Sequence, residues 1–135
     1  MNQERVTRHG AYIAATAEEL GAVTFARRCA AAINQRVLFP HRGNADLAAD
    51  GLVLHGWKRS EPLTIARTDI TNLKREFTHL YGRFLGGGSA EWGAPIIISR
   101  TSGPDIYVLF DHRAFLEKSS NVEWHVALLS WRQMP

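Results

Sequence analysis

The chain has 135 residues, of which 45% are apolar and 21% charged, with 16 Lys and Arg against 13 Asp and Glu for a formal charge of +3. That length suits one domain with a real core, and the composition lies far from the signature of disorder. The scattered charge is not the footprint of a nucleic-acid binder, and no apolar run nears the ~20 residues needed to cross a bilayer.

A single cysteine, Cys29, allows no internal disulfide, so the expected compartment is the cytoplasm. The first ten residues mix Glu4, Arg5, Arg8 and His9 and lead into no apolar signal core, which argues against secretion. The expectation is a single domain over residues 1–135, with 1–35 as a helical extension and 36–135 as its core.

The first predicted element opens at Thr16. Thr16-Ala17-Glu18-Glu19 has the spacing of a capping box, in which the hydroxyl and the carboxylate each satisfy an orphan amide at a helix start. A helix over 17–34 would put Ala22, Phe25, Ala26, Cys29, Ala30 and Ile33 on one apolar face. Gly21 weakens it, and Ala22 to Phe25 also fits a strand. On that face Cys29 reads as a small buried hydrophobe rather than a reactive thiol.

Beyond Arg36 short β-prone runs alternate with turn residues, which favours antiparallel sheet. Residues 37–39 read as a strand stopped by Pro40, 41–44 as a Gly-containing turn, and 46–49 as a brief strand. Asp50-Gly51 then signals a turn before a strand over 52–57, and 58–62 closes a hairpin onto 63–67. Thr68-Asp69 interrupts the chain before 70–77, read as a strand although helical spacing also fits. Residues 81–93 hold five glycines and form a long loop.

The clearest hairpin joins 95–100 to 106–111 across Thr101-Ser102-Gly103-Pro104. Ser120-Asn121-Val122-Glu123 repeats the capping-box pattern ahead of a helix over 120–131. Trp124, Leu128 and Trp131 form one stripe there, and Val122, Val126 and Leu129 the next, a broad apolar arc that calls for cover. The fold class is thus α+β: a strongly bent antiparallel sheet or partly open barrel of about six or seven strands, capped by a C-terminal amphipathic helix, with an additional N-terminal helix.

Strands followed by one terminal helix resemble the pleckstrin-homology-like superfold over residues 37–131, as met in small bacterial proteins. Gly51, Ile65, Asp69, Ile70 and Trp124 look like its glycine-led strand, its apolar strand meeting an Asp-Ile pair, and its helix Trp. The resemblance implies a non-enzymatic binding or scaffolding module acting on a protein partner or on itself as a homo-oligomer. Family members that bind phosphoinositides use a basic loop between the first strands; the counterpart His41-Arg42-Gly43 is too thin for that role.

Three sets of residues could carry chemistry. Asp111 and His112 follow a strand, and with His55 they would suit proton transfer in a small enzyme or ligand-binding protein with a polar pocket; the plainer reading is a polar strand end. Trp57, Lys58 and Arg59 at a hairpin tip, with Arg42, could meet an anionic membrane surface, although the two cations of the tip fall short of the usual four to eight. Lys74, Arg75 and Arg83 near Phe77, Tyr81 and Phe84 mix cations with aromatics in the manner of single-strand binders, yet interspersed acids make nucleic acid an improbable partner. Arg83 and Arg100 could bracket an anion near the glycine loop. The six histidines lack zinc-site spacing, so no metal and no cofactor is expected.

Overall fold

The computed structural model describes residues 8–21, 39–58, 61–76, 95–111 and 120–133. Seven strands run as β1 (Arg8–Thr16), β2 (His41–Leu47), β3 (Gly51–Lys58), β4 (Glu61–Ala66), β5 (Ile70–Arg75), β6 (Ile96–Arg100) and β7 (Ile106–Phe110). A short helix α1 (Ala17–Gly21) follows β1, a 3₁₀ turn (Arg67–Asp69) joins β4 to β5, and helix α2 (Asn121–Arg132) ends the described chain. The fold class is the one the sequence implies: an antiparallel half-barrel with a C-terminal helix and a short N-terminal one.

The strands lie in the order β4-β3-β2-β1-β7-β6-β5. Two meanders therefore meet at β1, which pairs with β2 from Arg8↔Leu47 to Ala14↔His41 and with β7 from Tyr12↔Phe110 to Thr16↔Ile106. Residues 8–16 are thus the middle of the sheet, and the expectation of a helical extension before the core is corrected there. Ala and Gly disfavour strands when read locally, and burial on both faces replaces alternation with the continuous run Tyr12-Ile13-Ala14-Ala15, all buried.

Burial on both faces is visible as two apolar clusters. On the inner face Tyr12, Ala14, Ala45, Leu47, Leu52, Leu54, Ile98, Val108 and Phe110 meet Trp124, Leu128 and Trp131 of α2. On the outer face Ile13, Ala15, Ile97, Tyr107 and Leu109 are covered by Leu20 of α1 and by Phe39. The first turn of the predicted helix accordingly packs on the sheet's exterior. Its remaining apolar face, with Cys29, lies outside the described residues, as does the glycine loop.

Both ends of α2 are fastened by side chains. Asn121, fully buried, accepts from the Phe110 amide at 2.7 Å and donates to the Val108 carbonyl at 3.0 Å, continuing the ladder beside β7 as another strand would. The second capping box does not form, since Ser120 makes no side-chain cap bond. At the other end the Trp131 indole donates to the Ala48 carbonyl at 2.7 Å, and Arg67 donates to the Trp131 carbonyl at 3.3 Å. Trp124 stacks on Phe110 with centroids 3.9 Å apart, beneath the Arg8 guanidinium. The apolar arc is narrower than its sequence implies, because Val126 is 64% exposed.

The turn read at 41–44 is instead the start of β2. Gly43 permits a close crossing there: a Cβ would lie 2.1 Å from the His55 carbonyl oxygen. Opposite it Gly56, at φ +83, accompanies a shift in the β3–β4 register between Leu54 and Lys58. The irregularity turns Trp57 to the inner face, where it packs against the core.

Candidate functional site

Two polar clusters stand on the β1–β2–β3 wing, and neither coincides with the set read from the sequence. The first is cross-strand. His9 on β1 lies directly opposite Asp46 on β2, and Asp46 opposite Val53, which makes His55 its diagonal neighbour on the same outer face. The His9 ring contacts Asp46 Oδ1, and His55 Nε2 lies 2.9 Å from Asp46 Oδ2. The hydrogen bond with His9 holds the Asp46 carboxyl below its usual range, His55 adds to this, and partial burial opposes it. All three are solvent-accessible, His9 and His55 broadly so.

The second cluster ties α1 to the β2–β3 wing. Thr16 and Glu19 form the predicted capping box: the Glu19 amide donates to Thr16 Oγ1 at 3.1 Å, and the Thr16 amide donates to Glu19 Oε1 at 2.8 Å. The same carboxylate faces His41 Nε2 at 2.8 and 2.9 Å. His41 Nδ1 lies 2.7 Å from the Trp57 carbonyl oxygen, and its ring stacks on the Trp57 indole at 3.8 Å and 5°. A carbonyl and an ionised carboxylate only accept, so His41 completes both bonds only with a hydrogen on each ring nitrogen.

The structure disperses the sequence's catalytic candidates. Asp111, at φ 52, ends the β1–β7 ladder: its amide donates to the Ala11 carbonyl at 2.8 Å, and its carboxylate accepts the Ala11 amide at 2.9 Å. That carboxylate sits above Gly10, where a Cβ would approach it to 2.9 Å. His55 is engaged with Asp46, and His112 lies outside the described residues. A cavity of about 330 Å³ is lined instead by Asp50, Gly51, Val53, Thr64, Ala66, Arg67 and Thr68, beside the edge strand β4.

The surface candidates are also engaged. Trp57 is half-buried against the core and His41, Arg42 donates to the Phe39 carbonyl at 3.2 Å, and Lys58 is exposed opposite Glu61; Arg59 lies outside the described residues. Arg100 braces the β6–β7 turn through the Pro104 carbonyl at 3.2 Å, and Lys74 pairs with Glu76 at 3.1 Å. Asp69 receives Thr101 Oγ1 at 2.7 Å and the Ser102 amide at 3.2 Å, and with the Ser102 hydroxyl these bonds hold its carboxyl below the usual range. Among the described residues no three His, Cys, Asp or Glu side chains are grouped to hold a metal ion. No described helix is long and apolar enough to cross a membrane.

Sequence reasoning missed His9, Asp46, Glu19 and His41 as partners. Glu19 was visible only as a cap, and the others needed the β1–β2 register. Inside, the Tyr12 hydroxyl and the Trp124 indole nitrogen are buried with no hydrogen-bond partner among the described residues, and burial pushes Tyr12 up to about 12.

No protein-family model matches the sequence, and no curated protein matches it. Among solved structures the fold is similar to the C-terminal domain of an unknown protein from Leishmania infantum, with a TM-score of 0.53 at 11% identity, covering 97% of this chain and 86% of that one. At such identity the likeness concerns the fold alone.

Proposed function

We propose that the chain is a non-enzymatic binding or scaffolding module of pleckstrin-homology-like architecture, which takes an extended protein segment, or a second copy of itself, at an open sheet edge. What supports this reading is the asymmetry of the two edge strands. On β5 the Thr71 carbonyl accepts from Arg132 at 2.8 Å, and α2 packs along that strand. On β4 the ladder runs to β3 alone among the described residues, which leaves a row of backbone groups for strand addition. The resemblance of strand order and helix plug to the pleckstrin-homology-like superfold agrees with it.

The rival reading, a small enzyme with a pocket around His55, Asp111 and His112, has less support, because Asp111 serves the β1–β7 ladder and His55 serves Asp46. Membrane binding through Trp57, Lys58, Arg59 and Arg42 is weakened by the stacking of Trp57 on His41. Cytoplasmic residence accompanies the proposed role.

The test is a phage-displayed random peptide library selected against the full chain, followed by amide chemical-shift mapping of the selected peptide, with light scattering at two protein concentrations for self-association. Perturbations along Glu61–Ala66, or a concentration-dependent mass, are expected. Perturbations confined to β5 and α2, or neither peptide capture nor self-association, would overturn the proposal.

A further inference from the structure

His41 is where the N-terminal helix is held to the sheet, and the chemistry of its two partners makes that hold conditional on a proton. We infer that Glu19, His41 and the Trp57 carbonyl form a proton-dependent clasp, closed when His41 is an imidazolium and released when it is neutral, which governs the docking of α1 on the outer sheet face.

The argument rests on counting donors. With both nitrogens protonated, His41 donates to Glu19 and to the Trp57 carbonyl at the observed 2.7 to 2.9 Å. A neutral ring keeps one hydrogen. Whichever nitrogen holds it, the other presents a lone pair to an oxygen that also only accepts, so one of the two contacts turns repulsive. The Trp57 stack fixes the ring plane and denies His41 an easy rotation away. The charged and titratable groups on the neighbouring described elements are Glu18 and Glu19 on α1, Arg8 and His9 on β1, Arg42 and Asp46 on β2, His55 and Lys58 on β3 and Glu61 on β4; of these only Glu19 is hydrogen-bonded to the ring.

What the clasp controls follows from its position. Glu19 immediately precedes Leu20, which with Phe39 covers Ile13, Ala15, Ile97, Tyr107 and Leu109. The described α1 segment is fixed to the sheet by the Ala17 amide, which donates to the Asp105 carbonyl at 2.8 Å, by the packing of Ala17 and Leu20, and, at its side facing β2, by Glu19. Closure therefore belongs to the imidazolium form. In the neutral form α1 loosens and the apolar outer face beneath Leu20 becomes available.

Glu19→Gln separates this device from a merely structural contact. A glutamine keeps the capping box, its oxygen accepting from Thr16, while its NH₂ donates to the bare Nε2 of a neutral His41. That variant should hold α1 at both extremes of pH. The experiment is hydrogen–deuterium exchange of the 18–20 amides in the full chain, read as protection factors at about pH 5.5 and about pH 8.5, beside ¹⁵N NMR of the His41 ring.

In the wild type, protection should fall at least about tenfold at the higher pH, the loss of one charge-assisted hydrogen bond, as the ring changes from charged to neutral. In Glu19→Gln it should stay within about twofold. His41→Phe, which retains an aromatic stack and loses both bonds, should show low protection at both values. Wild-type protection that is flat while the ring titrates, or an equal fall in wild type and Glu19→Gln, would overturn the inference.

Discussion

The two faces of this sheet are held by different physics. The inner face is apolar: α2 inserts Trp124, Leu128 and Trp131 into a continuous cluster, and its polar anchors, Asn121 and the Trp131 indole, serve backbone groups that would otherwise be stranded. Among the described residues the outer face is covered only in part. A small cluster under Leu20 and Phe39 gives way on the β1–β2–β3 wing to His9, Asp46 and His55, with the His41 clasp at the rim. Apolar burial makes the inner face insensitive to pH near neutrality, whereas the outer face depends on titratable groups near water.

That contrast can be broken most forcefully at Trp124. Trp124→Ala removes a fully buried indole that stacks on Phe110 and should cost about 3–5 kcal/mol in denaturant unfolding, enough to leave a domain of this size marginal. A loss under about 1 kcal/mol would mean that α2 is not the principal lid. Asn121→Leu comes next. It leaves the Phe110 amide and the Val108 carbonyl buried and unpaired, at about 1–3 kcal/mol for each group. Stability equal to wild type would show that water or a backbone shift replaces the side chain.

Outer-face changes should be smaller and visible mainly as pH dependence. Asp46 is depressed in the folded state, so its contribution is present above the unfolded-state carboxylate range and is lost as pH falls through the folded value. Asp46→Asn should therefore flatten the acid limb of the stability–pH curve while costing at most about 1 kcal/mol near neutrality, as exposed pairs do. An acid limb unchanged in Asp46→Asn would place that dependence in other carboxyls, Asp69 being the next candidate because the Ser102 and Thr101 hydroxyls depress it as well. Arg132→Ala should disturb least. It frees the Thr71 carbonyl at the β5 edge, and if helix cover is what closes that edge, a selected peptide that maps to β4 should begin to perturb β5.

Much of the architecture was legible because it is written in local pattern. The Ile106–Phe110 hairpin, the Asp50-Gly51 turn and the Trp124, Leu128, Trp131 stripe follow from turn chemistry and a period of 3.6, and each stands where the sequence puts it. The Thr16–Glu19 capping box formed because its two partners are three residues apart. The same motif at Ser120 failed because Asn121 is held to β7 and fixes the helix entry.

The candidate site was far less legible. His55 and Asp111 looked like partners as chemical types, yet their neighbours are set by register: His55 meets Asp46, and Asp111 meets Ala11. Strand β1 gave no local sign, its Ala and Gly being ordinary in a loop and required only because Tyr12 and Ile13 must be buried on opposite faces. The sequence by itself therefore determined the α+β class, the terminal helix and its Trp face, since these depend on residues within a few positions of one another. Tertiary structure alone decided the central strand, which described strands stand at the ends of the sheet, and the pairing of Glu19 with His41, because hydrogen bonds between residues far apart in the chain are set by strand register and sheet order.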